Sequence, residues 1–263
     1  MSAVPMSYPL RLRIAAENRK IARSGAYNCA NGKTVTLPEN GAALARKTLL
    51  LMPETLPDAS RAVPFRISEN LRACDTISAV LSLREEGVSG EIIALNFANA
   101  MFAGGGYRLG GDAQEESLCR CSLLYYALLP HGEYYWKHRL RPSPLYSSRM
   151  LLSPDVPVIR RMDGTLLETP QMCTFLTSAA VNRYYAKCLF IREKTITAAM
   201  QERIDGFICA MAKRKPAAVV LGAFGCGMFG NRRETVLPMI ENAVNRWLPQ
   251  ETAVVYAAPS GKP

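Results

Sequence analysis

Apolar and polar residues follow one another along this chain in patterns that predict an alternation of strands and helices. Residues 10–24 place apolar side chains at helical spacing and end at Gly25. Residues 91–97 contain the run Ile-Ile-Ala-Leu, which is typical of a strand buried on both faces. Helical spacing also covers 74–83, a stretch from about Gln114 to Leu129, 194–213 and 233–248. Short apolar runs predict strands at 35–37, 62–68, 156–160, 172–177, 217–223 and 253–257.

The order of these elements predicts the class of fold. Strands and helices alternate through the second half of the chain, which favours a mostly parallel sheet with helices on both faces. Residues 131–148 are rich in Pro, Tyr and Arg and are expected to form a partly ordered surface segment. The chain contains no internal repeat, low-complexity tract or linker, so we expect a single α/β domain over residues 1–263.

Two glycine-rich segments carry the candidate chemistry, and the first joins a glycine triplet to paired acids. Consecutive glycines let a backbone approach a ligand closely and adopt positive φ. Two carboxylates at a helix N-terminus lie beside unpaired N–H groups, where negative charge is favoured. The segment therefore suits a polyol or phosphate ligand with acid–base chemistry beside it. Its residues are Gly104, Gly105 and Gly106, followed after a short spacer by Gln114, Glu115 and Glu116.

The second segment, residues 225–230, reads Gly-Cys-Gly-Met-Phe-Gly and lies between a predicted strand and a predicted helix. The same G-x-G-x-x-G pattern occurs in dinucleotide-binding folds. A dinucleotide-binding unit needs an acid at the end of the next strand, but Glu251 stands at the start of the last strand. The chain that remains is also too short for a second mononucleotide-binding half, so this fold is disfavoured. A tight turn is the plainer alternative, but the four glycines between Gly222 and Gly230 exceed what one turn needs. Backbone binding of a diphosphate is therefore favoured.

With the flanking residues included, both segments resemble the signatures of bacterial-type poly(ADP-ribose) glycohydrolases. Asn96-Phe97-Ala98-Asn99 precedes the first, residues 221–231 enclose the second, and fainter similarity covers roughly the whole chain. The resemblance implies the macrodomain fold, a three-layer α/β/α sandwich with a mixed, mostly parallel sheet and an N-terminal extension over residues 1–60. It also implies an exo-acting glycosidase that hydrolyses ribose–ribose O-glycosidic bonds in poly(ADP-ribose) and releases ADP-ribose.

The same resemblance implies roles for individual residues. Glu116 is implied as the acid that protonates the leaving oxygen and later as the base that activates water. Glu115 would hold ribose hydroxyls, Gln114 would position the substrate, and Asn99 would lie near the terminal ribose. Burial and a neighbouring diphosphate both raise the pKa of a carboxyl, so the substrate could itself prime the acid. The second loop would hold the diphosphate, and Phe229 would pack against the terminal ribose; the implied loop residues are Ala223, Gly225, Cys226, Gly227, Met228 and Phe229.

Plainer interpretations stay open for these residues. The glutamates could be ordinary helix N-terminal charge, and Asn96 and Asn99 could cap a turn. A hydrolase of another ADP-ribosyl linkage, on protein or nucleic acid, is one functional alternative. A non-catalytic ADP-ribose-binding module is another, although binding alone needs no paired acids. Two features depart from the family pattern: Ala103 stands where bacterial members often carry proline, and Arg232-Arg233 where an acid is common.

Net charge and cysteine usage add the remaining constraints. The chain carries a net charge of +10, and its N-terminal region is strongly basic. This region is either a solvated helix face or a surface with weak attraction to a polyanion such as poly(ADP-ribose). The eight cysteines form no Cys-x-x-Cys pair and only two histidines occur, so neither a metal nor a cofactor is expected. Residues 1–5 lack a signal-peptide core and no apolar run is long enough for a membrane helix, which predicts a cytoplasmic protein without a membrane partner. The basic residues of 1–50 are Arg11, Arg13, Arg19, Lys20, Arg23, Lys33, Arg46 and Lys47.

Overall fold

The computed structural model describes residues 6–54, 56–58, 61–140 and 142–261; the interpretation of residues 1–5 as lacking a leader lies outside them. The first part of the chain forms α1 (Tyr8–Ser24), β1 (Ala26–Asn28), β2 (Thr34–Thr36), α2 (Gly41–Lys47), β3 (Leu49–Leu51), β4 (Leu71–Arg72), α3 (Thr76–Glu85) and β5 (Ile92–Phe97). The second part forms α4 (Gln114–Cys121), α5 (Leu124–Leu128), α6 (Gly132–Leu140), β6 (Met150–Arg160), β7 (Leu166–Ser178), α7 (Arg183–Cys188), α8 (Glu193–Lys213), β8 (Ala218–Gly222), α9 (Arg233–Trp247) and β9 (Ala253–Ala257).

The central sheet has seven strands in the order β3-β6-β7-β5-β8-β9-β4. Strand β5 lies at its centre and pairs in parallel with β7 and β8, so that Ala94 faces Phe175 on one side and Val220 on the other. Strands β8, β9 and β4 continue the parallel part. At the other end of the sheet, β6 runs antiparallel to both of its neighbours, β7 and β3. The mixed, mostly parallel sheet expected from the sequence is confirmed.

Helices cover both faces of this sheet and divide the core into two apolar clusters. Successive residues of β5 point to opposite faces, as strand geometry requires. Ala94 joins the cluster beneath α1, α3, α4, α5 and α6, while Ile93 and Leu95 join the cluster beneath α8 and α9. The three-layer α/β/α architecture is therefore confirmed. None of the helices in the described part of the chain has the length and apolar content that crossing a bilayer requires.

The strand predicted at 62–68 is wrong, although its side chains do alternate between buried and exposed. The stretch 61–67, here called the strap, bends at 62–63, enters a short 3₁₀ helix at Ile67–Glu69 and pairs with no strand among the described residues. Its backbone donates to side chains of α9 instead: Phe65 N–H to Asn245 Oδ1 at 2.6 Å and Ile67 N–H to Glu241 Oε1 at 2.8 Å. Packing of Phe65 and Ile67 against the cluster beneath α8 and α9 produces the period of two that suggested a strand.

The single helix predicted from Gln114 to Leu129 is two helices, α4 and α5. Ser122 separates them with extended backbone and forms an isolated β-bridge with Val158. Its hydroxyl donates to the Leu118 carbonyl oxygen at 2.7 Å and accepts the Leu124 N–H at 3.2 Å. A hydroxyl that bonds to nearby backbone competes with helix continuation, which explains the break.

The partly ordered surface segment expected at 131–148 is also wrong for its first half, which forms α6. Tyr134, Tyr135 and His138 are buried there. His138 Nδ1 lies 3.0 Å from the Ala100 carbonyl oxygen, and its Nε2 lies 2.7 Å from Ser147 Oγ. The aromatic side chains that looked like surface residues have large apolar bodies, and the fold buries them.

The N-terminal residues are joined to the rest of the structure by buried hydrogen bonds. Asn18 is fully buried on α1; its Nδ2 donates to the Arg120 carbonyl oxygen at 2.9 Å, and its Oδ1 accepts from Arg160 Nε at 3.2 Å. Strand β3 adds to the sheet edge beside β6. The short elements β1, α2, β3, β4 and α7 were not predicted because segments of two to seven residues carry too little periodicity.

Candidate active site

The two glycine-rich segments meet at the carboxyl ends of adjacent strands. The first follows β5 and the second follows β8, and these strands pair in parallel. Phe97 at the end of β5 and Phe224 in the second segment pack edge to face, with ring centroids 5.8 Å apart. Ligands of open α/β sheets bind at carboxyl strand ends. The topology therefore brings together segments that lie more than a hundred residues apart in sequence.

Glu115 points inward from the first turn of α4 and is only 2% exposed. Its Oε2 accepts the Asn99 N–H at 2.7 Å, and its Oε1 accepts from Asn96 Nδ2 at 3.2 Å. Asn96 also donates to Thr177 Oγ1 at 3.1 Å on the neighbouring strand β7. The carboxyl group is thus fixed by two adjacent strands and the loop that follows β5.

Burial raises the pKa of Glu115 from 4.5 to about 8. Hydrogen bonds from the Asn99 N–H and the Asn96 amide oppose the rise, while the charge of Glu116 adds to it. Removing water from a carboxylate penalises its charged form, and this effect outweighs the donors here. At neutral pH Glu115 is therefore mostly protonated in the folded protein.

Glu116 is partly exposed and lies against the glycine triplet. Its Oε1 accepts the Gly106 N–H at 2.8 Å. A Cβ added to Gly105 would lie 2.5 Å from Glu116 Oε1 and 3.3 Å from Glu115 Oε2, and Gly105 has φ +52°. Both carboxyl groups thus converge on Gly105, where only glycine leaves the space and tolerates the left-handed backbone. Oε2 of Glu116 accepts no hydrogen bond from the described residues.

Gln114 and Asn99 have structural partners that the sequence did not reveal. Gln114 Oε1 accepts the Phe97 N–H at 2.9 Å, and its Nε2 donates to the Leu95 carbonyl oxygen at 2.8 Å, so this side chain fastens α4 to β5. Asn99 Oδ1 accepts the N–H groups of Met101 and Phe102 at 2.8 and 3.0 Å, which is the turn cap considered as the plainer interpretation. Asn99 is exposed, and its Nδ2 has no partner within the described ranges.

The second segment forms a loop from Ala223 to Arg232 that Asn231 holds in shape. Asn231 is buried, and its Nδ2 donates to the carbonyl oxygens of Val181 at 2.7 Å and Gly225 at 3.0 Å. At Gly225, where φ is +72°, a Cβ would lie 2.5 Å from Ala180 Cβ. Gly227 differs: its φ is not left-handed, and nothing lies within 4 Å of an added Cβ. The N–H groups of Gly225, Gly227, Met228 and Phe229 donate to no acceptor among the described residues.

The other side chains of this loop have separate environments. Met228 is 92% exposed, and Cys226 is partly buried, which raises the pKa of its thiol to about 11. Phe229 packs against Tyr146, with ring centroids 6.0 Å apart, and its carbonyl oxygen accepts the Tyr184 N–H at 3.1 Å. Loop 223–232 can therefore bind a ligand through its backbone while Phe229 and Tyr146 form a wall.

A cavity of about 280 Å³ opens between the two segments. Gln114 and Phe97 line it from the first segment, and Ala223 and Arg233 from the second. The end of β9 and the residues that follow it also line the cavity, whereas Glu115, Glu116, the glycine triplet and residues 225–230 do not; the further lining residues are 75–77, 112, 113, 117, 118, 162 and 257–260. Arg233 is one of the two arginines noted as unusual for the family, and the structure places its positive charge in this lining. Across the described ranges, no group of three His, Cys, Asp or Glu side chains is arranged to hold a metal ion.

Three contributors to the site were missed or undervalued in the sequence. Asn96 was considered only as a turn cap, yet it contacts Glu115 directly; its place next to Phe97 at the end of an apolar strand was the available signal. Thr177 and Tyr146 carried no local signal, because their positions depend on β7 and on the segment after α6.

The chain matches a known protein family. The family model described as the catalytic domain of microbial-type PARG (poly(ADP-ribose) glycohydrolase) matches residues 15–161. A search of curated protein sequences found no match.

Several solved structures resemble the whole chain. Poly(ADP-ribose) glycohydrolase from Thermomonospora curvata bound to the inhibitor ADP-HPD is 32% identical, with a TM-score of 0.82 over 95% of this chain and 93% of that one. The same protein without that inhibitor is 31% identical, with a TM-score of 0.82 over 94% and 92%. The enzyme from Deinococcus radiodurans in complex with ADP-ribose is 28% identical, with a TM-score of 0.70 over 85% and 91%.

Proposed function

This chain belongs to the family of microbial-type poly(ADP-ribose) glycohydrolases, and we propose that it uses Glu116 as the acid and Glu115 as a neutral partner. The chain is a glycosidase that hydrolyses poly(ADP-ribose) and releases ADP-ribose. The observation that carries the assignment of roles is the convergence of both carboxyl groups on Gly105. Cleavage of the ribose–ribose bond needs a proton on the leaving oxygen and stabilisation of a positively charged sugar.

Access favours Glu116 over Glu115 as the residue that transfers the proton. Glu115 is 2% exposed and both of its oxygens accept hydrogen bonds from Asn96 and Asn99. Glu116 is partly exposed, and only its Oε1 is engaged, by the Gly106 N–H. A general acid must lie within hydrogen-bond reach of the leaving oxygen. The remaining oxygen of Glu116 meets this condition without disturbing the fold.

Glu115 in its neutral form helps in two ways. It leaves one negative charge, and not two, beside a substrate that itself carries a diphosphate, so repulsion between site and substrate is smaller. It also keeps the loop around Asn96 and Asn99 in place, and it takes the role in hydroxyl binding that the family resemblance implies only where one of these donors gives way to a ribose hydroxyl. Asn99 Nδ2, at the exposed edge of the same loop, offers a further donor to the ribose.

The loop 223–232 binds the diphosphate in this proposal. Gly225, Gly227, Met228 and Phe229 supply N–H groups that bond to no acceptor in the described part of the chain, and α9 begins directly after the loop. Backbone donors before a helix N-terminus are a recurrent site for phosphate. Cys226 shapes the loop, because its N–H donates to the Ala223 carbonyl oxygen at 3.1 Å, and Ala223 and Gln114 line the adjoining cavity.

Exo-acting cleavage is part of the proposal because of the wall formed by Phe229 and Tyr146. If Phe229 packs on the terminal ribose, this wall blocks continuation of the polymer beyond that ribose. The enzyme then accepts chain ends, and every turnover releases one ADP-ribose.

Incubation of the purified protein with poly(ADP-ribose), mono-ADP-ribosylated protein and ADP-ribosylated DNA in parallel tests this function. The expected result is free ADP-ribose from the polymer, with gradual shortening of the chains. Early appearance of short oligomers would exclude the exo mode. Release of ADP-ribose from the mono-ADP-ribosylated substrates alone would favour a hydrolase of another ADP-ribosyl linkage. If neither wild type nor Glu116→Gln released ADP-ribose from any substrate, the protein would be a non-catalytic ADP-ribose-binding module.

A further inference from the structure

A second groove, larger than the cavity beside Gln114 and Ala223, runs between α1, the start of α2 and α5. Its volume is about 980 Å³, at the upper end of the range of about 300–1,000 Å³ for ligand pockets. We call it the α1 groove. Small residues keep it deep: at Gly41 an added Cβ would lie 2.9 Å from Tyr126 Cβ and 3.2 Å from Ala22 Cβ. The small lining residues are Ala15, Ala16, Ala22, Gly41, Ala42 and Ala45.

The charged side chains that line the α1 groove are all positive. Arg19, Lys20, Arg23 and Arg108 line it, and no acidic residue does. All four cations are exposed, and none forms an ion pair with a described residue. Unpaired cations held along a concave surface concentrate anions there.

The structure thereby divides the basic residues of α1 into two groups. Arg11 lies 2.7 Å from Asp112, and Arg13 lies 3.7 Å from Glu17, so both have acidic partners. Arg19 and Arg23 stand one helical turn apart and face the groove. If the basic residues of α1 were only a solvated helix face, there would be no reason for the unpaired cations to gather on the side that faces the groove.

The α1 groove adjoins the glycine triplet. Arg108 follows the triplet by two residues, in the short turn Tyr107–Leu109. Tyr125, which lines the groove, packs directly under Gly104, where an added Cβ would lie 2.7 Å from its Cδ2. Arg19 and Arg108 both lie close enough to the Tyr126 hydroxyl to oppose the rise of its pKa to about 12 that burial causes. Cations from α1 and from the loop after the triplet thus surround one tyrosine.

We propose that the α1 groove binds the ADP-ribose units that follow the scissile bond, on the leaving side of the polymer. The proposal rests on the proposed function. Diphosphates of these units lie against Arg19, Lys20, Arg23 and Arg108, while Tyr126 and Leu129 offer an apolar edge to the bases. A polymer whose end is held at Glu116 and loop 223–232 presents its next units at high effective concentration, so weak contacts suffice.

A polymer of ADP-ribose fits these observations better than a nucleic acid. Specific protein–DNA interfaces cover about 1,000–2,500 Å² of protein surface, whereas the basic residues here line one groove of pocket size. The position beside the glycine triplet also ties the groove to the chain being cleaved.

The test compares long and short substrates for the double variant Arg19→Gln/Arg23→Gln. We expect KM for long poly(ADP-ribose) to rise about tenfold at low salt, because two exposed contacts to phosphate are lost. kcat should stay at the wild-type value, and kcat/KM for an ADP-ribose dimer, which places only one unit beyond the scissile bond, should fall less than kcat/KM for long chains. The difference should shrink near 0.15 M salt, where the screening length is about 8 Å. Lys33→Gln, which removes an exposed cation from the turn between β1 and β2, is the matched control.

A pair of variants at Ala42 separates charge from bulk. Ala42 is exposed on the groove floor, so Ala42→Glu and Ala42→Gln both fold and fill similar space. Ala42→Glu should raise KM for long chains more than Ala42→Gln does. Equal effects would mean that the cations do not attract the polymer, and the proposal would then be wrong.

Binding without turnover separates failure of this proposal from failure of the proposed function. In a Glu116→Gln background, long poly(ADP-ribose) and single-stranded DNA of equal phosphate number are titrated against the groove variants. If the groove variants bind the polymer as tightly as the protein with an intact groove does, the proposal is wrong. If they lose affinity for DNA but not for the polymer, the groove is a nucleic-acid site. If wild-type protein fails to release ADP-ribose from the dimer, the proposed function fails independently of the groove.

Discussion

The backbone N–H of Gly106 donates a 2.8 Å hydrogen bond to Oε1 of Glu116, so the glycine loop itself holds the proposed acid. The loop is thus a support for the carboxyl group as well as a surface for the ligand. Its shape depends on the left-handed backbone of Gly104 and Gly105. Any change that moves the loop therefore moves Glu116.

Gly105→Ala tests this dependence. The added methyl group would lie 2.5 Å from Glu116 Oε1, so the carboxyl group must move. Since a displacement of about 1 Å can cost about 10²-fold in rate, we expect kcat to fall by about that factor. Gly32→Ala is the control, because Gly32 also has a left-handed φ of +82° but nothing within 4 Å of an added Cβ. Equal activity losses in both variants would contradict the proposed support.

The two glutamates should respond differently to amide substitution. Glu116→Gln removes the proton donor, and we expect kcat to fall by about 10²–10⁴-fold with ADP-ribose affinity nearly unchanged. Glu115→Gln imitates the neutral carboxyl group, so its kcat should fall much less. Steady-state release of ADP-ribose measures both. A larger loss in Glu115→Gln would reverse the assignment of the acid.

Stability should depend on pH through Glu115. Its pKa in the folded protein is about 8, above the ordinary 4.5, so the fold favours the protonated form. The free energy of unfolding contributed by this group is therefore complete below about pH 4.5 and is lost as pH rises through 8. The slope cannot exceed about 1.4 kcal/mol per pH unit.

Glu115→Gln removes this titration. Urea unfolding at pH 5, 6, 7 and 8 should show the variant gaining stability relative to wild type by about 1 kcal/mol per pH unit. A constant difference across this range would mean that Glu115 is ionised in the fold throughout.

Gly227→Val tests the diphosphate loop. Gly227 is exposed, its φ is not left-handed, and an added Cβ meets nothing within 4 Å, so the fold should tolerate the substitution. A branched side chain would nevertheless stand where the ligand approaches the backbone, and calorimetry should show ADP-ribose affinity reduced by about 10-fold or more, which corresponds to about 1.4 kcal/mol. Gly132→Val, at another glycine with open space, should leave affinity unchanged. Unaltered affinity in Gly227→Val would make the loop a structural turn.

The sequence predicted the sheet and the two glycine segments because these signals are local. Residues 92–95 are apolar without interruption, and the glycines are consecutive or closely spaced. The break at Ser122 and the helix α6 could not be predicted in this way, since the first depends on a bridge to Val158 and the second on burial of Tyr134. The site residues converge as the glycine pattern suggested, but their roles stay predictions, as do the single domain and the cytoplasmic location. Gln114 illustrates the limit: its partners Phe97 and Leu95 become visible only when α4 lies on β5.

The strap has a consequence for labelling the protein. Its path is determined by hydrogen bonds from its backbone to side chains of α9 and to Gln250, so the exposed side chains at 62 and 64 contribute little to its position. Arg66 differs, because it lies 3.9 Å from Glu241 in an ion pair. A fluorophore attached through Ala62→Cys would therefore report on the protein without altering the strap, once the exposed Cys188 has been replaced. The residues to keep are those that hold the strap in place: Glu241 and Asn245 on α9, Gln250 after it, and Arg61, whose side chain donates to the carbonyl oxygens of residues 249 and 250.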